Sequence, residues 1–204
     1  MSILSSSVSI TRYRVHGKID SPVIETVGNG LNKNIISEID DQSSDRTTWW
    51  TSFAKPFQPD FSGSSFVYGP YFVFALRIDK KNIPSKVIKK QYTLEADLRM
   101  AQSGRQFLSK TEKKQLKDHV INVLSLRIPA TPNVYDVIWN YEEKKLWFFS
   151  NLKAANEELE TLFSQSLKLA LIRIFPYTAA DMCSELSDSQ RDDLQQLTPT
   201  HFIK

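Results

Sequence analysis

The sequence has few of the residues from which catalytic and metal centres are built. Its only cysteine, Cys183, excludes an intrachain disulfide and cannot anchor a zinc site. The histidines His16, His119 and His201 have no metal-ligand spacing. The glycines on either side of Asn29 lack the pattern of a phosphate-binding loop, and no Gly-x-Ser-x-Gly motif is present. We therefore predict no cofactor, no bound metal and no enzymatic activity.

Long apolar runs are also missing. The most apolar stretch, FVYGPYFVFAL at 66–76, is interrupted by Gly69-Pro70 and falls well short of the ~20 residues that span a membrane. The first residues, MSILSSSVSITRY, lack the basic segment and apolar stretch of a secretory signal peptide. A lone cysteine fits a reducing compartment. These features predict a soluble, cytoplasmic protein without a membrane partner.

Charge is unevenly distributed along the chain. The net charge of the 204 residues is only +3, too small by itself to indicate a polyanionic partner. From Arg77 to Arg127, however, the chain contains 13 Lys and Arg but only 5 Asp and Glu, whereas the remaining residues include 13 Lys and Arg and 18 Asp and Glu. The basic excess is thus confined to the middle quarter of the chain.

The order of predicted elements favours an α+β fold with a largely antiparallel sheet. Strands are predicted at 8–15, 46–53, 65–68, 71–79, 134–141, 146–150 and 167–175. Helices are predicted at 23–39, 84–101, from 109 onward, 154–164 and near 179–186. We expect a helical protrusion at 83–128, on a body formed by 1–82 and 129–178, followed by a polar tail at 179–204. The two flanks could form paired sheet layers.

The protrusion is predicted to be a pair of amphipathic helices. Ser109 and Glu112 have the spacing of a capping box, which marks the start of the second helix. The expected apolar stripes are Val87, Leu94 and Leu98 on the first helix and Leu116, Val120 and Val123 on the second. The candidate nucleic-acid-binding residues are Lys86, Lys89, Lys90, Arg105, Lys110, Lys113, Lys114 and Lys117, preceded by Lys80 and Lys81.

The lysines of the second helix form a row along one side. At 100° per residue they occupy about a third of the circumference, next to the apolar stripe. Such a row can follow evenly spaced backbone phosphates, since each contact releases condensed counterions without reading a base. The alternative is an ordinary solvated helix face. Composition alone leaves both interpretations open.

Two other features suggest possible sites. Trp49 and Trp50 are adjacent in a predicted strand and point to opposite faces, so one could anchor an interface or stack on a base while the other is core. The alternative is that both are shielded by packing. Asp60, Glu142 and Lys144 could serve a Mg²⁺-dependent nuclease. A charged hairpin turn at Glu142 is the more ordinary interpretation.

The sequence of the predicted helical protrusion resembles that of a known family. IPSKVIKK at Ile83–Lys90, followed by SKTEKKQLKDHVINVL at Ser109–Leu124, is similar to the "LPSPVIK" and "KKTEKDSLKDEV" segments of the recombination-associated RdgC proteins. VIWNYEEKKLWFF and LKAANEELETLFSQSLKLALIRIFP match later family segments in order and spacing. The resemblance spans most of Thr11–Thr178.

The resemblance implies an α+β, non-enzymatic, nucleoid-associated protein. RdgC proteins form ring-like homodimers that encircle duplex DNA without sequence preference and restrain RecA-driven recombination. Lys86, Lys89, Lys110, Lys113 and Lys117 match the family's lysines. Family members are usually about half as long again, so we expect a shortened relative that lacks the C-terminal elements which help close the ring.

One segment departs from the family. The family's "LLPRAF" becomes LSLRIP at Leu124–Pro129, which loses an aromatic residue tied to one dimer contact. The sequence therefore predicts, first, a sequence-independent DNA-binding protein and homodimer. A module whose basic arm docks an acidic protein ranks second, and a metal-dependent nuclease ranks third.

Overall fold

The computed structural model describes residues 3–42, 44–182 and 186–198. Cys183 and His201 lie outside these ranges. Within them, seven strands form one sheet: β1 (Thr11–His16), β2 (Arg46–Thr51), β3 (Val67–Tyr68), β4 (Tyr71–Lys80), β5 (Thr131–Asn140), β6 (Lys145–Phe148) and β7 (Ala170–Arg173). The same residues hold six helices: α1 (Val23–Lys33), α2 (Ser85–Ser103), α3 (Lys110–Ser125), α4 (Lys153–Leu167), α5 (Pro176–Met182) and α6 (Asp188–Gln196). Among them, no helix is both long and apolar enough to cross a membrane.

The sheet is antiparallel throughout, with the order β2-β4-β5-β6-β1-β7 and β3 paired to β4. The predicted α+β fold with a largely antiparallel sheet is confirmed. The expectation of two sheet layers is wrong, because β4 and β5 pair over ten residues and join the two flanks into one sheet.

Helices α1 and α4 pack on one face of the sheet over an aromatic core. Trp50 meets Phe74 and Phe163 edge-on, with ring centroids 5.1 and 6.5 Å apart, and its indole Nε1 donates to Ser166 Oγ at 2.8 Å. A Cβ added to Gly30 in α1 would lie 2.8 Å from the Ser166 carbonyl oxygen. Gly30 therefore lets the two helices approach backbone to backbone, which offsets the low helix propensity of glycine.

The opposite face of the sheet is only partly covered. Arg77 on β4 forms a buried bidentate ion pair with Asp79, at 2.7 and 2.6 Å, and donates to the Pro56 carbonyl at 3.3 Å. The Phe57 ring lies over the same guanidinium. The backbone amide of Ile3 donates to the Asp136 carboxylate on β5. These segments cover the β4–β5 part of this face, whereas alternate residues of β1 and Lys145 of β6 remain exposed.

The C-terminal elements differ from the prediction. Helix α4 continues to Leu167 and ends at Lys168, which has the left-handed φ of 57° typical of a helix end. The predicted strand 167–175 therefore shortens to the four residues of β7. Two helices, α5 and α6, occupy the described part of the segment where one was predicted.

Candidate nucleic-acid interface

Helices α2 and α3 pack against each other as a two-helix arm with a small core of their own. Ala96 of α2 is buried with Leu116, Val120 and Leu124 of α3, and Ile88, Tyr92 and Met100 pack against them. The predicted stripe of α3 is confirmed for Leu116 and Val120. The predicted stripe of α2 is wrong, because Val87, Leu94 and Leu98 are exposed by 39, 51 and 62%. The neighbouring row at Ile88, Tyr92, Ala96 and Met100 packs instead.

The start of α3 is fixed by the predicted capping box. The Ser109 hydroxyl accepts from the Glu112 amide, and the Glu112 carboxylate accepts from the Ser109 amide at 2.8 Å. The backbone hydrogen bond from Ser109 is the main reason that the Glu112 pKa lies below its usual value. Arg105 forms an ion pair with the same carboxylate at 3.3 Å. Of the eight candidate cations, Arg105 is thus partly neutralised.

The seven candidate lysines of the arm are exposed. None of them makes an ion pair or a side-chain hydrogen bond with any described residue. Lys89 of α2 and Lys117 of α3 line the same groove, of about 310 Å³, together with Ser85, Ile88 and Tyr92. The structure therefore brings lysines of the two helices together along the seam.

Helix geometry extends this pairing along the arm. A helix turns by 100° per residue, so the angular position of each lysine can be measured from the buried row of its own helix. Lys86 and Lys89 are displaced from the buried row of α2 in one rotational direction, and the lysines of α3 are displaced from their buried row in that same direction. In an antiparallel helix pair, residues displaced in the same sense lie on the same face. The shared face is formed by Lys86, Lys89, Lys110, Lys113, Lys114 and Lys117, which we call the lysine face. Lys90 lies further round α2, towards its outer side.

A different lysine fastens the arm to the sheet. Lys81 is only 5% exposed, and its Nζ donates to the carbonyl oxygens of Asp40 and Gln42, both at 2.8 Å, and of Ser125 at 2.7 Å. The Asp40 carboxylate also accepts from the Ala130 amide at 2.7 Å. Both chain connections of the arm are therefore tied to one loop. Lys81 was expected to lead into the basic row, and its burial makes that expectation wrong.

The side chains of Trp49 and Trp50 lie on opposite faces of the sheet, as expected for adjacent residues of a strand, but neither is fully exposed to solvent. Trp50 has no exposed surface, so the hypothesis that it anchors an interface is wrong. Trp49 is partly buried, and it lines a groove between β2 and α4 with Arg46, Glu158 and Leu162.

The residues of the nuclease hypothesis lie on separate elements. Asp60 lies in the loop before β3, where the backbone amide of Ser62 donates to its carboxylate and lowers its pKa. Glu142 and Lys144 lie in the turn between β5 and β6, and Glu142 accepts from the Tyr141 hydroxyl. In the described residues no group of three or more His, Cys, Asp or Glu is arranged to hold a metal ion.

The structure also contains a second basic surface that was not predicted from the sequence. Arg12 and Arg14 alternate with the buried Tyr13 and project from the partly covered sheet face, next to Lys145 and Trp147 of β6. The signal was available in TRYRVH, whose period of two places the arginines on one side of a strand.

These observations define the class of protein: it is an α+β protein in which a lysine-rich two-helix arm is attached to a single antiparallel sheet. The family model described as "Putative exonuclease, RdgC" matches residues 9–185. The chain belongs to the RdgC family, as its resemblance predicted, and membership supports a role related to recombination. A search of curated proteins found no match.

Proposed function

We propose that the protein binds duplex DNA without sequence preference through the lysine face of the arm. The observation that carries the proposal is the groove shared by Lys89 and Lys117, flanked by lysines that have no carboxylate partner among the described residues. Unpaired ammonium groups on one face repel each other, and phosphates relieve that repulsion. Lysine presents a compact charge without the fork geometry that reads base edges, which favours backbone contacts.

The number of lysines sets the expected salt dependence. Six phosphate contacts give a slope of about −5 in a plot of log affinity against log salt concentration. Affinity then falls by about 10³ between 50 and 200 mM salt. We further propose that the protein coats DNA without cleaving it, in a non-enzymatic, nucleoid-associated role in the cytoplasm.

Fluorescence anisotropy with a labelled duplex tests the proposal. The double variant Lys113→Glu with Lys117→Glu should bind more weakly at 50 mM salt and reduce the magnitude of the slope by about 2. The matched control is Lys33→Glu with Lys153→Glu, which changes the net charge equally on exposed positions of α1 and α4. Equal losses in both double variants, or no duplex binding by the wild type, would refute the proposal.

A second candidate function is supported by the exposed stripe at Val87, Leu94 and Leu98. A row of apolar side chains on the outer side of α2 is suited to a protein partner, and we propose a second copy of this chain as that partner. Leu94→Ser with Leu98→Ser should then convert a dimer to a monomer in a sizing experiment run with and without DNA. If the arm instead serves an acidic protein, Lys113→Glu with Lys117→Glu should abolish that interaction and leave duplex affinity unchanged.

The family description also names an exonuclease. Our proposal predicts that a labelled duplex stays intact in the presence of Mg²⁺. Degradation that is lost in Glu142→Ala would support the nuclease hypothesis in place of the non-enzymatic one.

A further inference from the structure

The partly covered sheet face carries a second cluster of charge and aromatic surface. Its members are Arg12, Arg14 and His16 of β1, Lys145 and Trp147 of β6, and Ile172 of β7, and we call it the sheet-face groove. The groove has a volume of about 660 Å³, within the ~300–1,000 Å³ of typical ligand sites. It lies between the sheet and Ala179 and Met182 of α5, whereas the lysine face lies on the arm.

The strand register brings like charges side by side in this groove. Arg14 is directly opposite Lys145 on one side and Ile172 on the other. Two cations directly opposite each other repel and so destabilise an antiparallel strand pair, and a bound anion would relieve that repulsion. Among the described residues, Glu143 is the single carboxylate that pairs here, with Lys145 at 2.7 Å, and Arg12 has no ion-pair partner. The cluster therefore keeps an excess of positive charge.

The same register places an aromatic ring among the cations. Trp147 is partly exposed and directly opposite Arg12, and its ring lies 6.2 Å from that of the exposed Tyr71. A partly exposed indole on a sheet, flanked by arginines, presents a flat surface for a base and charges for the adjoining phosphates. Bases in a duplex are already stacked on one another, so only unpaired bases can use that surface.

We propose that the sheet-face groove binds single-stranded DNA, with a base stacked on Trp147 and backbone phosphates held by Arg12, Arg14 and Lys145. An acidic peptide could satisfy the charges, but it would leave the partly exposed indole without a flat partner. This proposal does not depend on duplex binding by the arm, because the two surfaces share no residue.

Binding of a labelled oligothymidylate, measured by anisotropy, tests this assignment. Trp147→Ala should weaken binding about 5- to 150-fold, the range for loss of one stacked base. Arg12→Ala with Arg14→Ala should also weaken it, and duplex affinity should change less than about twofold in both variants. An abasic oligomer of equal length keeps the phosphates but not the bases. The abasic oligomer should bind the wild type more weakly than oligothymidylate does, and its affinity for Trp147→Ala should equal its affinity for the wild type.

Intrinsic fluorescence provides a second readout. Trp147→Phe keeps a stacking ring, so it should retain affinity but lose the quenching caused by oligothymidylate. Trp49→Phe, at the far edge of the sheet, should retain both. The proposal is overturned if Trp147→Ala and the double arginine variant, with wild-type circular dichroism, bind the single strand normally. Equal losses for strand and duplex, or equal competition by oligoglutamate, would overturn it as well.

Discussion

Replacing Lys81 by methionine tests how the arm is held on the sheet. Methionine has a similar length but no donor, so the carbonyls of Asp40, Gln42 and Ser125 lose their partner. The Ser125 contact is buried, and an unsatisfied buried carbonyl costs about 1–3 kcal/mol. The other two contacts are part-buried, so water can replace the lost bonds at a cost of about 0.5–1 kcal/mol each.

These losses are partly offset, because methionine does not require a buried ammonium to be desolvated. We expect Lys81→Met to lower the free energy of unfolding by about 2–4 kcal/mol, or the melting temperature by roughly 4–16 °C. The adjacent Lys80 is exposed and provides the matched control. Lys80→Met removes the same charge and should stay within about 0.5 kcal/mol of the wild type.

Denaturant unfolding measures the stability, and hydrogen exchange locates the change. Exchange should accelerate at the end of α3 and in the loop at 40–42, because both lose their common donor. Equal stability of Lys81→Met and Lys80→Met would refute the view that Lys81 fastens the arm. Faster exchange in the sheet core with an unchanged α3 would refute it too.

Two further predictions concern local packing and capping. Gly30→Ala should destabilise the protein by about 1–3 kcal/mol in thermal unfolding, because its Cβ would meet backbone, whereas Gly28→Ala meets only the Phe66 ring at 3.4 Å and should be close to neutral. Ser109→Ala should raise the pKa of Glu112 towards its ordinary value in an NMR titration, because one of the hydrogen bonds that lower it is lost. Since the folded pKa lies below the unfolded value, the carboxylate stabilises the arm above about pH 4.5. That stabilisation should disappear as the pH falls through the folded pKa; an unchanged pKa in Ser109→Ala would contradict this account.

The sequence was most informative where a local rule decides the structure. The start of α3 follows from Ser109 and Glu112, since a capping box depends on residues three positions apart. The hairpin of β5 and β6 follows from alternating apolar residues around a charged turn.

It was least informative where two choices have the same local pattern. Val87 and Leu94 have a helical spacing as regular as Ile88 and Tyr92, so only the partner helix decides which row is buried. Lys81 was interpreted as part of a basic run because its three carbonyl partners are 39–44 residues away in the sequence. No neighbouring residue predicts these contacts.

The position of β1 in the sheet has a consequence for synthesis of the chain on the ribosome. Thr11–His16 lies between β6 and β7, so β1 must wait for Lys145–Phe148 and Ala170–Arg173 to be synthesised. At roughly 5–20 residues per second, that delay is about 8–30 s. During it, both edges of β1 carry unpaired amides and carbonyls next to the apolar Tyr13 and Val15. Binding of the nascent chain by a chaperone would matter most in that interval.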